Sequence, residues 1–296
     1  MATLRELKGR IGSVASSEKI TGAMKMISSA KMRKEELALK RLSPFRTQIE
    51  TVIANLLSAD AEFSSPLTEA REVRRMAIVV FGSDDGLCGA YNVNVFKQLI
   101  EHITYLRGQL AAGEEVQFDI YPVGAKIQKA CLKLSDPKVK IVDTADVNSK
   151  ITGDNVRKFS DTMVGDFLNG SYDRVDTVYM KFRSVSRQIP TAEQIVPVVA
   201  ETFAKEGVET ASGRPYIFEP SAQEIFSSIL PMFLLSVMQE IFTENRASEQ
   251  AARIMAMQSA NDNAKKLLEQ LQLEYNKLRQ QSITTELLDI VGGQVR

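Results

Sequence analysis

The chain has 296 residues with 37 Lys or Arg and 37 Asp or Glu, so its formal net charge is zero. This length suits about two domains, and the neutral balance gives no polyelectrolyte signal for nucleic acid. Two cysteines without metal-ligand spacing, a single histidine and the lack of tryptophan argue against a zinc set, a disulfide framework and a base-stacking surface. The longest apolar run, residues 229–237, is too short to cross a bilayer, so we expect no direct membrane insertion.

The first segment, residues 3–58, has the pattern of one long helix. Apolar residues follow three-four spacing near its start and again near its end. Between them, the stripe through Ile20, Met24 and Ile27 is out of phase with the first, which predicts a local change of supercoil. Pro44 removes an intrahelical hydrogen bond, and we expect it to kink the helix.

The same segment is basic: residues 1–46 hold eleven Lys or Arg against four Asp or Glu. A solvated helix face has this composition, and so does a surface for an acidic partner. Charge alone leaves both interpretations open.

The middle of the chain, residues 73–205, has a different rhythm. Short apolar runs alternate with helical patterns, which predicts a mostly parallel α/β sheet with right-handed crossovers, a Rossmann-like domain. The predicted strands are residues 76–81, 116–123, 139–142 and 175–182, with an edge strand at 193–199, and the predicted helices are 91–110, 125–134 and 155–168.

A glycine-rich loop follows the first strand and is the obvious place to look for chemistry. A phosphate site is one interpretation, but the glycine spacing is not that of a dinucleotide or P-loop motif, and Asp84 and Asp85 would repel phosphate. A tight structural turn is the favoured interpretation. The turn residues are Gly82, Gly86, Cys88 and Gly89.

Cys88 would need a base to act as a nucleophile. The only histidine, His102, lies about four helical turns away, so we expect it to be a surface or helix-packing residue. The sequence therefore predicts no catalytic residues, no metal site and no cofactor.

The last segment, residues 219–296, is a second long helix. Ser221 and Glu224 have capping-box spacing, and no glycine follows until Gly292. Pro231 predicts a bend about three turns after the start. A polar run, residues 276–284, interrupts the apolar stripe; it either marks fraying or contacts a surrounding protein.

Two helices of this length cannot leave their apolar stripes in water. The nearest partner for each is the other end of the same chain, which predicts one antiparallel coiled coil from residues 1–60 and 219–296, with the α/β domain inserted between them. A homodimeric coiled-coil scaffold is the alternative. An α/β nucleotide-binding enzyme with a coiled-coil arm is a second alternative, from another class.

Three separated motifs resemble the γ subunit family of F-type ATP synthases. They are residues 20–33 (ITGAMKMISSAKMR), residues 83–92 (SDDGLCGAYN), and residues 248–253 (SEQAAR) with 279–287 (RQQSITTEL). The resemblance covers essentially the whole chain. One position departs from it, since Asp85 stands where the family usually has Arg, which puts any ion pair of that Arg in doubt.

The resemblance implies a rotating central stalk without catalytic groups of its own. Its coiled coil would stand inside a ring of three α and three β subunits, and its α/β domain would sit with the ε subunit on the membrane ring of c subunits, with δ an indirect partner. Proton flow would turn the stalk and so drive the β sites through their binding states. A peripheral location on the cytoplasmic face of a bacterial inner membrane follows from the same resemblance.

The resemblance also implies two sets of contacts with the β subunit. Met24, Lys25 and Met26 match positions that face the moving, acidic part of β, and Arg279, Gln280 and Thr284 match positions that hydrogen-bond a β loop. The final helical turns would run in an apolar sleeve.

Overall fold

The computed structural model describes residues 3–57, 64–109, 116–144, 146–199, 203 and 218–293, with the backbone alone for 291–293. Two long helices enclose an α/β domain. The elements in chain order are α1 Leu4–Leu57, β1 Arg75–Phe81, α2 Tyr91–Gln109, β2 Gln117–Val123, α3 Ala125–Cys131, β3 Val139–Ile141, α4 Asp154–Leu168, β4 Arg174–Ser184, β5 Arg187–Val196 and α5 Ala222–Gly293.

The sheet has the strand order β3-β2-β1-β4-β5. Strands β1 to β4 run parallel, which confirms the predicted α/β domain, and we call this domain (β1–β5 with α2–α4) the foot. The predicted edge strand at 193–199 was misplaced. Strand β5 begins at Arg187 and forms an antiparallel hairpin with β4, with Ser184 opposite Arg187. The prediction missed this hairpin because its tight turn contains none of the glycine or asparagine residues that mark one in a sequence.

Helices α1 and α5 pack side by side in antiparallel directions, as predicted. Arg246 donates to Glu35 at 2.8 Å, and Asn261 donates to the carbonyl of Glu18 at 2.7 Å. Residue numbers therefore decrease along α1 in the direction in which they increase along α5. Part of the apolar stripes that a homodimer would need is covered within one chain, as Leu7 and Leu271 are buried.

The seam, meaning the buried face between α1 and α5, is not apolar throughout. Ser28 is buried, whereas Ile20 and Ile27 are 59% and 56% exposed. A β-carbon added at Gly22 would lie 3.4 Å from the amide of Asn261, so the helices approach closely there. Ile20 and Ile27 of the out-of-phase stripe thus face away from α5, whereas Met24 is half-buried.

Both long helices begin with side-chain caps. The Glu224 amide donates to Ser221 Oγ at 3.2 Å, which confirms the predicted start of α5. A full capping box that the sequence analysis missed begins α1, where the Thr3 and Glu6 amides donate to each other's side chains at 2.9 and 3.2 Å. Helical structure continues through Pro44 and Pro231.

The first third of α5 is the most apolar part of the molecule. Among the described residues, one 18-residue window of this helix reaches a mean hydropathy of 1.7, enough by length and composition alone for a membrane span, and half of the window is buried. Leu230 and Phe242 are fully covered by the foot and α1, and Phe242 packs edge-on against Phe81 at 4.8 Å. Core packing accounts for this composition.

The glycine-rich loop is where the foot meets α5. Asn245 is fully buried, donates to the Gly82 carbonyl at 3.0 Å and accepts from the Tyr91 hydroxyl at 2.6 Å. About one turn further along α5, Ser248 donates to the Met180 carbonyl at 2.8 Å, and about two turns along, Arg253 donates to the Gly86 carbonyl at 3.2 Å. Four polar side chains therefore fix the foot to one face of α5.

Glycine is required at two places in this loop. A β-carbon on Gly82 would lie 2.4 Å from that of Ile127, and Gly89 has φ +60 and approaches Ala256. The small residue Ala256 thus allows the foot, rather than α1, to come close to α5. Leu87 adopts a φ of 63°, which is unusual for a residue with a β-carbon.

A partly buried charge cluster joins α1, α5 and the sheet. Arg46 donates to Glu50 at 2.9 Å and to Glu240, and it lies 3.8 Å from Glu193 on β5. Tyr179 donates to the same Glu193 at 3.0 Å. We call Arg46, Glu50, Glu193 and Glu240 the Arg46 cluster.

Glu244 lies one turn beyond Glu240 and is buried beside this cluster. Burial raises the pKa of Glu244 to about 7, Glu240 and Glu193 add to the rise, and Lys181 and Arg46 oppose it. The folded chain therefore holds a proton on Glu244 at a pH where the unfolded chain has released it.

We expect Gly82→Ala to destabilise the chain by about 1–3 kcal/mol, because the new β-carbon overlaps Ile127 in a packed core. Gly86→Ala is the matched control, since its β-carbon would lie 3.8 Å from Lys126 Cε, an ordinary contact. Urea unfolding followed by far-UV circular dichroism measures both. Equal midpoints for the two variants would contradict the packing described.

We expect the pH dependence of unfolding to change in Glu244→Gln. Because the pKa of Glu244 is higher in the folded chain than in the unfolded chain, its proton stabilises the fold fully below the unfolded pKa of about 4.5. This stabilisation is lost as the pH rises to the folded pKa of about 7. The variant should match the parent near pH 4 and exceed it at pH 8 by up to roughly 3 kcal/mol. The control Glu36→Gln removes an exposed carboxylate that pairs with Lys40, and it should shift stability by less than about 1 kcal/mol. A Glu244→Gln variant weaker than the parent at pH 8 would refute the assignment.

Candidate partner interface

The first predicted contact patch lies midway along the coiled coil. Met26 is 69% exposed, whereas Met24 is half-buried and Lys25 donates to Gln258 on α5. Met26 is thus free to contact another protein, and the Lys25 ammonium group, which uses one of its three donors on Gln258, keeps two for a partner carboxylate.

Ile20 and Ile27 extend this patch, and the sequence analysis did not assign them to it. Both lie on the same outward stripe of α1 and expose more than half of their side chains. The signal was present in the phase slip, since apolar residues that leave the seam register must face another surface. The patch is therefore apolar, and the exposed Lys19 and Lys31 flank it together with Lys25.

The second predicted patch lies where α5 continues past the end of α1. Glu35 pairs with Arg246, so the antiparallel register places Leu4 opposite about residue 277 of α5. We call residues 279–293 the overhang, which extends for about 22 Å at the helical rise. None of its side chains described here is fully buried.

The three predicted contact residues of the overhang are all exposed. Thr284 donates its hydroxyl to the Gln280 carbonyl at 2.9 Å, and no hydrogen bond within the described chain holds the side chains of Arg279 and Gln280. A guanidinium and a carboxamide on one stretch of helix can donate to carbonyl or carboxylate oxygens of a surrounding protein.

Beyond these polar groups the overhang becomes apolar. Leu287, Leu288 and Ile290 expose between 58% and 65% of their side chains. Leucines and isoleucines so exposed on several faces of a helix indicate an apolar environment in an assembly.

The polar groups of the glycine-rich loop are engaged within the chain. Asp84 accepts from the Ala125 amide at 3.1 Å and from the Ser149 hydroxyl at 2.8 Å, and the Ser83 amide donates to Asn92 at 3.0 Å. Asp85 pairs with Lys150 at 2.9 Å, which lowers the pKa of Asp85. Asp85 thus has a lysine of the foot as its ion-pair partner.

The remaining reactive residue types also have structural surroundings. His102 hydrogen-bonds Asp176 at 2.7 Å across the foot, so it is a helix-packing residue and not a partner of Cys88. Cys88 is buried and contacts Asn92, and burial raises the pKa of Cys131 to about 12. The residues described here contain no group of three or more side chains that could hold a metal.

Solved structures share this arrangement of helices and sheet. A chain of the Euglena gracilis mitochondrial ATP synthase OSCP/F1/c-ring complex matches with a TM-score of 0.60 at 20% identity, over 99% of this chain and 93% of that one. A chain of the rotor of the same organism's enzyme matches with a TM-score of 0.57 at 18% identity, over 95% and 98%. At these identities the likeness concerns the fold.

Sequence relatives are much closer. The ATP synthase gamma chain of Phocaeicola vulgatus is 39% identical over 297 residues, and that of Bacteroides thetaiotaomicron is 38% identical over 304, each covering 100% of both chains. The ATP synthase family model matches residues 3–295. The chain belongs to the ATP synthase gamma chain family.

Proposed function

We propose that this chain is the central rotor stalk of an F-type ATP synthase, which couples proton flow through the membrane ring to ATP synthesis or hydrolysis at the β subunits. The observation that carries the proposal is the sequence identity of 38–39% to ATP synthase gamma chains over the whole length of both chains. The paired helices α1 and α5 form the shaft, and a shaft needs stiffness along its length and different surfaces on its sides.

The differences between the sides of the shaft support this role. The exposed side chains of Ile20 and Ile27 lie on one side of the shaft, Met26 lies about 100° further round α1, and the foot covers another side through Asn245 and Arg253. A neighbour in a ring of three β subunits would meet a different surface at each orientation of the shaft. Only such differential contacts can bias three identical neighbours toward different states.

The ends of the shaft have separate partners in this proposal. The overhang enters the ring of three α and three β subunits, where Arg279, Gln280 and Thr284 hydrogen-bond a β loop and the apolar last turns lie in a sleeve. The foot sits with ε on the c-ring, and δ is reached only through other subunits. The chain would then be a peripheral protein on the cytoplasmic face of a bacterial membrane, without nucleic acid partners.

Catalysis belongs to the β subunits in this proposal, and the chain itself holds no cofactor. The engagement of Asp84, Ser83 and the Gly82 carbonyl within the fold supports a structural turn at Gly82, Gly86, Cys88 and Gly89. The same engagement weighs against a nucleotide-binding enzyme, because phosphate sites need free amides. Calorimetry with ATP and the isolated chain should give no binding heat.

The contact assignment is tested by Arg279→Ala with Gln280→Ala in the complex reconstituted with α and β. Removal of two donor side chains from an exposed helix leaves the fold intact, so the variant should copurify with α and β. ATP turnover should fall about tenfold, which corresponds to the loss of about 1.4 kcal/mol of stabilisation at the moving contact.

Gln281→Ala with Thr285→Ala is the matched control, because both residues are exposed on another face of the same turns. The control should retain turnover. Equal turnover in parent and test variant would remove the contact assignment and leave the stalk in place. Failure of the unmodified chain to copurify with α and β would contradict the stalk itself.

A further inference from the structure

The start of α1 has a composition that disfavours a helix. Residues 8–20 contain two glycines and three serines, which are Gly9, Gly12, Ser13, Ser16 and Ser17. Both residue types lower helix stability relative to alanine, and glycine does so more strongly. The facing stretch of α5, residues 264–273 (AKKLLEQLQL), contains strong helix formers throughout. One helix of the pair is therefore intrinsically weaker than the other at this level of the shaft.

Packing does not require the two glycines. A β-carbon added at Gly9 or Gly12 would meet no described atom within 4 Å, and neither residue has a positive φ. Gly22 differs, because its β-carbon would lie 3.4 Å from the amide of Asn261. Close helix contact thus explains the glycine at position 22, whereas alanine would fit at positions 9 and 12.

The serine side chains weaken the helix further. Their hydroxyls each donate to the backbone carbonyl four residues earlier, at 3.0 to 3.2 Å, in Ser13, Ser16 and Ser17. A hydroxyl in this position shares a carbonyl that also accepts a backbone hydrogen bond. Such sharing slightly destabilises helices and often bends them.

The seam is loosely packed along the same stretch. A cavity of about 560 Å³ lies between Gly9 and Ser13 of α1 and Leu267 and Leu271 of α5. None of the side chains described for residues 8–20 is fully buried. Tertiary packing supplies most of the stability of helices in proteins, and here it is weak.

Firm contacts lie on both sides of this stretch. Leu7, the residue before it, is fully buried. Near its other end, Asn261 of α5 donates to the Glu18 carbonyl at 2.7 Å, and Lys25 donates to Gln258 further along. A local opening of α1 between these contacts would therefore be bounded at both ends.

We propose that residues 8–20 of α1 form a compliant segment, in which this helix opens locally while the facing stretch of α5 stays helical. Few buried contacts and exposed backbone hydrogen bonds are the conditions for local opening, and both are present. The intact α5 keeps the shaft continuous, so the shaft can bend at this level without separating. The proposal does not depend on the rotor role, since the segment belongs to the chain itself.

Amide hydrogen exchange of the full chain, measured by mass spectrometry at single-residue resolution, tests the proposal. Protection factors, which correct for the intrinsic rate of each residue type, should be at least about tenfold lower in residues 8–20 than in residues 264–273. They should rise in one step beyond Glu18. Simple fraying of the helix end predicts instead a steady rise from Lys8 inward.

Alanine substitution provides the second readout. Gly9→Ala with Gly12→Ala should raise the protection factors of residues 8–20 at least about tenfold, because each alanine favours the helix and restricts the open chain. Gly108→Ala with Gly165→Ala is the matched control. Both of these glycines lie in helices of the foot, and their β-carbons would also meet no described atom within 4 Å. The control should leave residues 8–20 unchanged.

Four results would overturn the proposal: equal protection in residues 8–20 and 264–273, a steady gradient from Lys8, no response to the alanine pair, or an equal response to the control pair. Copurification of each variant with α and β is scored separately. A rigid segment and a failed rotor assignment are therefore distinguishable.

Discussion

The antiparallel pairing of α1 with α5 is the interaction on which the rest of the structure depends. Neither helix could persist alone over this length, because each would leave an apolar stripe in water. The pairing brings the two ends of the chain together, so the foot is held at both its entry and its exit. Arg246 of α5 contacts both other parts of the molecule, since it donates to Glu35 of α1 and to the Ile151 carbonyl of the foot.

The polar contacts at the joint explain how such a rod carries a foot rigidly. Asn245 and Ser248 bond backbone carbonyls of the foot, and these bonds are directional and buried. The Arg46 cluster adds ion pairs that join both helices to the edge strand β5. Torque applied to the foot would therefore reach the shaft through hydrogen bonds and packed side chains together.

The sequence predicted the architecture well because apolar residues repeated at helical spacing over many turns indicate directly which face of a helix is buried. It could not predict the hairpin of β4 and β5, whose turn lacks the usual residues, or the Arg46 cluster, whose members lie far apart in the chain. The exposure of Ile20 and Ile27 was likewise missed, although the phase slip indicated that these residues leave the register of the seam. The resemblance supplied the contact roles of Met24 and Arg279, which periodicity alone leaves open.

Rotation of the foot relative to the ring tests the central claim most directly. Both native cysteines, Cys88 and Cys131, are buried, so a cysteine introduced at the exposed Lys133 would be the specific attachment point for a bead. With the ring of α and β subunits immobilised, ATP should drive unidirectional rotation of the bead. A stationary bead on a complex that still hydrolyses ATP would contradict the assignment of this chain as the rotating shaft.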